Sequence, residues 1–239
     1  TAYEITYGDW SSDVCSSDLI ALRNAEAHRA VEIRAETDRL TGLLNHGALL
    51  EHLAGLAEKG NRFAMLMVDL DHFKEYNDRY SYYDGDRVIR ILAKILHDVV
   101  KGTCGEDAFV GHIGGDDFIF IMPVAKVNET CGEVVHAFDT LIPFQYSEQD
   151  RRAGYYFGKD RRGQLHKVPL MSVSIGVVTN ERRNFSHAGQ VSELATEMKS
   201  YAKTLPGSVY TIDRRGDLPT GEVDGSAALP VQPTVVEER

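Results

Sequence analysis

The sequence predicts an α+β domain, a sheet with helices packed mainly on one side. Three observations point there. Short apolar runs rich in Val and Ile alternate with longer segments of helical period. Two of these runs, 108–113 and 118–124, flank a polar turn at 114–117, which reads as a central hairpin. Apolar residues make up 43% and charged residues 26% of the 239, so the chain can bury a core and is not disordered throughout.

The elements follow in chain order. Residues 20–38 are rich in Ala, Leu, Arg and Glu and hold no Gly or Pro, which favours helix. Their apolar positions (Leu22, Ala25, Val31, Ile33, Ala35) are sparse, so 20–37 reads as a connecting helix, either the end of a coiled coil or a solvated helix. A helix over 46–59 is stopped by Gly60. The unbroken apolar run 63–70 predicts a buried strand. Val88, Ile89, Ile91, Leu92, Ile95 and Leu96 give 84–100 a helical period. After the hairpin come a helix over 126–141 and a polar, aromatic stretch at 154–167, read as an extra hairpin around KDRRGQ. A strand at 170–178, a helix at 190–203 and a short strand at 209–212 complete the domain. Residues 216–239 lack a period and predict a disordered tail.

Composition removes several function classes. With 36 acidic and 26 basic residues the net charge is −10, against a nucleic-acid binder held by a basic face. An anionic substrate would need metal ions and a few placed cations. No apolar stretch approaches the roughly 18–20 residues of a membrane helix. Three cysteines at irregular spacing make neither a disulfide framework nor a zinc site, and a reducing, cytoplasmic setting fits best. The chain begins at Thr1 without a signal peptide, as expected of a fragment. Residues 9–19, DWSSDVCSSDL, read codon by codon as the translation of a common DNA-sequencing adapter, so 1–19 are taken as a suspect non-native segment; a natural flexible linker is the alternative.

Two acidic clusters stand where a catalytic metal would need them. Asp69 and Asp71 close the buried strand, and Gly114-Gly115-Asp116-Asp117 form the hairpin turn. If strand and hairpin are neighbours, Asp69 and Asp116 converge on one cation, and carboxylates with open positions suit Mg²⁺. The paired glycines let backbone approach a phosphate closely. Singly, an acidic strand end and an ordinary turn would account for each cluster; together they are harder to dismiss. A calcium-loop reading of 69–78 fails, since its fifth and sixth positions hold Phe73 and Lys74.

At this point a family resemblance becomes visible over residues 38–215. Asp38-Arg39-Leu40-Thr41-Gly42-Leu43-Leu44-Asn45, DLDHFKEYND from Asp69, Asp84-Gly85-Asp86, GGDDF from Gly114, SVSIGV from Ser172 and Tyr201-Ala202-Lys203 occur in order at family spacing. The chain resembles the GGDEF domain of diguanylate cyclases. The resemblance implies a palm-like α+β sandwich of the nucleotide-cyclase/ferredoxin-like kind, a central mainly antiparallel sheet flanked by helices. It implies condensation of two GTP into cyclic di-GMP with loss of two pyrophosphates, dependent on Mg²⁺ (or Mn²⁺), across a transient homodimer. An upstream sensor or receiver domain is expected. By this resemblance Asp69, the Leu70 carbonyl and Asp116 hold metal, and Asp116 and Asp117 are the catalytic carboxylates. His72 and Phe73 offer backbone N–H groups to the terminal phosphates. Lys74 and Lys203 contact phosphate, Gly114 and Gly115 line the turn, and Asn77 and Asp86 read guanine.

Four departures bear on activity. Asp117 stands where the family usually has Glu, one methylene longer, and Ser81-Tyr82 replace Gly-His beside the guanine pocket. Thr204-Leu205-Pro206-Gly207-Ser208 replace the spacer and Gly-Arg-Asn, so a phosphate-contacting arginine is missing and Arg214 or Arg215 is the candidate substitute. The 154–167 stretch is longer than usual and lies near Arg151, Arg152, Arg161 and Arg162. An active cyclase is the leading reading. A degenerate GGDEF domain serving as a GTP-binding or dimerisation signalling module is the alternative. A palm making another cyclic nucleotide is third; the GGDD turn also occurs in CRISPR-associated palms, but Asp86 and the 38–45 motif argue against it. Finally, 101–113 contain no Arg, whereas the family's inhibitory product site uses Arg-x-x-Asp there. Cyclic di-GMP should therefore not bind at that place; tight binding there in titration calorimetry would overturn this expectation.

Overall fold

The structure, a computed structural model, describes residues 19–24, 36–58, 60–159, 163–185 and 187–216. The chain divides into units 1–37 and 38–239. In the first, residues 19–24 are helical, while the adapter-like run up to 18 and residues 25–35 of the expected connecting helix lie outside the described residues, as does the tail from 217.

In the second unit a six-stranded sheet has the order β1-β3-β4-β2-β7-β8, with β1 Leu44–Asn45, β2 Ala64–Asp71, β3 Phe109–Gly114, β4 Asp117–Met122, β7 Ser172–Thr179 and β8 Val209–Ile212. The pairings are antiparallel except β1–β3 and β7–β8. A separate hairpin pairs β5 Tyr155–Lys159 with β6 Leu165–Pro169. The helices are α1 His46–Glu58, α2 Phe73–Arg79, α3 Tyr82–Cys104, α4 Val127–Leu141, α5 Glu148–Ala153 and α6 Ala188–Ala202.

The central strand β2 shows why the sheet is covered twice. Ala64, Leu66, Val68 and Leu70 enter one core with Leu92 and Leu96 of α3 and Val134 and Phe138 of α4. Met65 enters a second core with Leu49 and Leu53 of α1 and Val191, Ala195 and Met198 of α6. Successive strand residues point to opposite faces, so an apolar run on β2 requires cover on both. The expected one-sided helix layer is therefore corrected: helices flank both faces.

Local chemistry sets the element ends. Asn45 Oδ1 accepts from Ala48 N–H at 3.1 Å and caps α1. Ser81 starts α3 earlier than its apolar period suggested: its Oγ accepts from Asp84 N–H at 3.1 Å and donates to Asp84 Oδ2 at 2.6 Å. β1, α2 and α5 are too short to show a period and were not expected as elements.

The 154–167 hairpin docks on α2 through stacked and edge-on rings of Tyr76, Tyr80, Tyr146 and Tyr156. Tyr80 donates to Asp150 Oδ2 at 2.6 Å, and Arg79 lies 3.3 Å from the same oxygen. Burial pushes the Asp150 carboxyl up, but these bonds and charges outweigh it and hold it below the usual range. This cluster fixes α2 directly after the acidic end of β2.

Helix α6 lies close against β7 at Gly176. A Cβ there would fall 2.2 Å from the Lys199 nitrogen and 2.7 Å from the Ala195 carbonyl oxygen. Both are backbone atoms, so the helix itself must move. Gly176→Ala is expected to destabilise the domain by about 1–3 kcal/mol, read as a lower denaturant midpoint at unchanged m; an unaltered midpoint would contradict the close approach.

Candidate functional site

The site lies where β2 runs past the end of β4 while still paired to β7. Its ladder to β4 ends at Val68↔Phe118, so the next step in register sets Asp69 beside Asp117. The β3–β4 turn is tight, Gly114 pairing with Asp117. Gly115 has φ 61°, a left-handed turn position that glycine adopts without strain. Strand and hairpin are thus neighbours, the condition under which Asp69 and Asp116 converge.

Asp69 is buried, 5% exposed. Lys199 of α6 and Lys203, which caps that helix, neutralise it: Lys199 Nζ lies 3.0 Å from Oδ2 and Lys203 Nζ 2.5 Å from Oδ1. Lys199 also donates to Asp117. Burial opposes the Lys199 charge, but its bonds to Asp117 and Asp69 outweigh this and raise it above an ordinary lysine. Asp116 has no ion pair among the described residues. Burial first, and the Asp69 charge second, push its carboxyl above the ordinary range.

Asp71, the second acid of the strand motif, is used differently. Its Oδ2 accepts from Ser172 Oγ and Ser174 Oγ, both at 2.8 Å, tying β2 to β7. His72, at φ 63°, is the only non-glycine residue with positive φ among the described residues, and it turns the chain into α2. Strain of this kind often collects at functional sites. Phe73 begins the helix, and Lys74 is exposed on it. The Asn77 side chain lies against Gly85, where a Cβ would meet its Oδ1 at 1.9 Å. That Oδ1 is buried without a hydrogen-bond partner. Asp86, next along α3, is exposed. The structure therefore gathers Asp69, Asp116, Asp117 and Lys203 directly. Lys74, Asn77 and Asp86 stand on the two helices that follow the acidic strand and make no contact with that cluster.

The donors fit an oxygen-seeking divalent cation. Asp116 is half-buried and makes no ion pair among the described residues, Asp69 adjoins it, and the Leu70 backbone lies past the end of the β4 ladder. Among the described residues no three His, Cys, Asp or Glu side chains form a metal cluster. An ion here would complete its shell with backbone carbonyl, water and substrate oxygens, as Mg²⁺ commonly does.

One expectation fails. Arg214 and Arg215 do not replace the missing arginine. β8 runs parallel to β7, from Val209 opposite Ser174 to Ile212 opposite Val177, and so carries the chain away from Asp69. Arg215 is held at 2.7 Å by Glu197 and 2.8 Å by Asp213 at the far end.

Lys199 and His112 lie outside the motif reading, and Asp71 lies within it but with a different use. Lys199 had a visible signal: it follows Ala195 by four on the stripe that buries Val191, Ala195, Met198 and Ala202, an unusual place for a charge. Asp71 could not be separated from Asp69 by type alone. His112 connects two motifs: its Nδ1 lies 2.9 Å from Asp38 Oδ1 and its Nε2 3.1 Å from the Gly115 carbonyl. Both neighbours are oxygen atoms, so the imidazole lies between the Asp38 turn and the Gly115 carbonyl.

With this geometry in place, comparison with known proteins decides the family. Residues 35–158 match the family model described as diguanylate cyclase, GGDEF domain. The chain belongs to the GGDEF family. Diguanylate cyclase VdcA of Vibrio cholerae is 35% identical over 143 residues, covering 59% of this chain. An uncharacterized signaling protein of Caulobacter vibrioides is 32% identical over 143 residues, covering 54% of this chain. The chain spans only 37% and 17% of the lengths of these two relatives. The coiled coil and GGDEF domain of DgcB from Caulobacter crescentus, solved in complex with c-di-GMP, shares the fold at TM-score 0.63 and 23% identity, covering 86% of this chain and 100% of that one. Among the described residues, no helix of this GGDEF protein is long and apolar enough to cross a membrane.

The His112 bridge has a measurable consequence. His112→Ala leaves the Asp38 carboxylate and a turn carbonyl short of a donor and is expected to cost about 1–3 kcal/mol. Burial pushes the Asp38 carboxyl up, but bonds from His112 and Thr41 outweigh it, so its folded pKa is depressed. The Asp38 contribution is thus present above its unfolded pKa of about 4 and lost as pH falls through the lower folded value. The stability gap between wild type and His112→Ala should narrow on acidification below about pH 4; a gap that widened would contradict the assignment.

Proposed function

We propose that the chain is a diguanylate cyclase that condenses two GTP into cyclic di-GMP and two pyrophosphates, with two copies meeting face to face. The observation that carries this reading is the convergence of Asp69, Asp116 and Lys203 at the end of β2, with Asn77 and Asp86 on the adjoining helices. Carboxylates alone would repel a triphosphate. Carboxylates beside lysines, on a strand end open on its β4 side, suit a metal-bound nucleotide.

In this reading Asp69, Asp116 and the Leu70 carbonyl hold Mg²⁺ or Mn²⁺, which would offset phosphate charge and polarise the α-phosphate. Lys74, Lys203 and the backbone N–H groups of His72 and Phe73 hold the terminal phosphates, and the Gly114-Gly115 turn lets them approach the backbone. Asp116 favours loss of the proton from the attacking 3′-hydroxyl. The hydroxyl oxygen bonds to the α-phosphorus of the partner's GTP, the bond to the β-phosphate breaks and pyrophosphate leaves. The same step in the opposite sense closes the ring. Asp86 accepts from the N1–H and 2-amino group of guanine, and Asn77, whose oxygen lies buried against Gly85 without a donor, is the second guanine reader. Asp117 adds a shorter side chain than the family's usual Glu. A regulatory domain would lie outside this chain.

The test is turnover of GTP with Mg²⁺ by the full chain, free and as a forced dimer, with products resolved by chromatography and mass. Cyclic di-GMP is expected from wild type and none from Asp116→Ala. Bound GTP without product in the forced dimer would contradict the cyclase and favour the signalling-module reading. Asp86→Ala should reduce preference for GTP on the order of 10- to 150-fold, the worth of hydrogen bonds to a charged group.

A further inference from the structure

The proposed reaction leaves one charged group at the site without a task. The Lys199 side chain is 12% exposed and reaches both Asp69 Oδ2, at 3.0 Å, and Asp117. Its backbone is pressed on the sheet at Gly176, where even a methyl group would come within 2.2 Å of its nitrogen. The lysine is anchored at its backbone, so only its side chain can swing away from the carboxylates.

Asp69 is therefore faced by a cation at each oxygen, although Oδ1 is buried without a hydrogen bond. Oδ2 faces Lys199, and Oδ1 lies 2.5 Å from Lys203. The two lysines differ in freedom. Lys203 is 39% exposed at the end of α6 and can turn outward to a phosphate. Lys199 lies inside, beside Met198 and Ala195 of the second core. A divalent ion sharing Asp69 must compete with an ammonium already seated on that carboxylate, and the two cations repel each other. A triphosphate changes this balance, because its oxygens offer an ammonium a new anionic partner.

We infer that Lys199 is a built-in cation that holds Asp69 and Asp117 in the substrate-free site, so that a divalent ion enters only by displacing its ammonium and binds well only together with the triphosphate. The inference rests on the metal assignment above and adds an order of binding to it. Lys199 acts here as a positioning residue, since it works through the two carboxylates.

The test reads metal uptake, separately from turnover. Free Mn²⁺ is followed by electron paramagnetic resonance during titration of the full chain, with and without a non-hydrolysable GTP analogue. Without nucleotide, wild type should bind Mn²⁺ weakly and Lys199→Met at least about tenfold more tightly, the smallest effect expected of a unit charge at 4–6 Å. Lys199→Arg should stay weak, and the analogue should bring wild type close to Lys199→Met. Should Lys199→Met fail to fold by circular dichroism, Lys199→Gln carries the same expectation. Equal or weaker binding by the neutral variant would overturn the role of Lys199 while leaving the metal site standing. No Mn²⁺ uptake by any protein, even with the analogue, would overturn the metal site and this inference with it.

Discussion

The charge balance at the end of β2 constrains the rest of this structure. Burying an unpaired carboxylate costs several kcal/mol even after relaxation, and Asp69 is buried beside Asp116 and Asp117. The fold meets that cost by bringing helix α6 over the same strand end, where Lys199 and Lys203 take one Asp69 oxygen each. This arrangement needs α6 hard against β7, which Gly176 permits. It also needs the β3–β4 turn short enough to keep its two acids beside β2, which the left-handed Gly115 permits. A packing requirement at one glycine and a backbone requirement at another thus serve one electrostatic end.

Two further contacts fix the surroundings. His112 joins the Asp38 turn to the Gly115 carbonyl, so the 38–45 motif and the GGDD turn, far apart in sequence, position each other. The tyrosine cluster and Asp150 hold α2 against the extra hairpin, which keeps Asn77 and Lys74 near the acidic strand end. The helices on both faces of the sheet supply the apolar cores, while the polar chemistry collects at one edge where the ladders stop.

Much of this was legible in the sequence, for physical reasons. The β2 run, the α3 period and the hairpin were readable because burial imposes a regular pattern on each. The acids at the strand end and Asn77 stand out as candidates through motif order. The one-sided helix layer was misjudged because a continuous apolar run states that a strand is buried, not how many layers bury it. The short elements β1 and α2 show no period. Lys199 was missed because motif spacing drew attention to Lys203, although its place on the buried α6 stripe was visible. Arg214 and Arg215 were weighed by proximity in sequence alone, whereas the parallel pairing of β8 with β7 takes them to the opposite end of the sheet.

The proposed nucleotide site rests on two acids at a strand end and on an amide oxygen buried without a donor. Its most direct test is a crystal structure of the chain with Mn²⁺ and a non-hydrolysable GTP analogue, using anomalous scattering to locate the metal. The account predicts manganese between Asp69 and Asp116, phosphates against Lys203 and the start of α2, and the guanine edge against Asn77 and Asp86. An analogue bound elsewhere, or manganese absent from those two carboxylates while the nucleotide is bound, would contradict it.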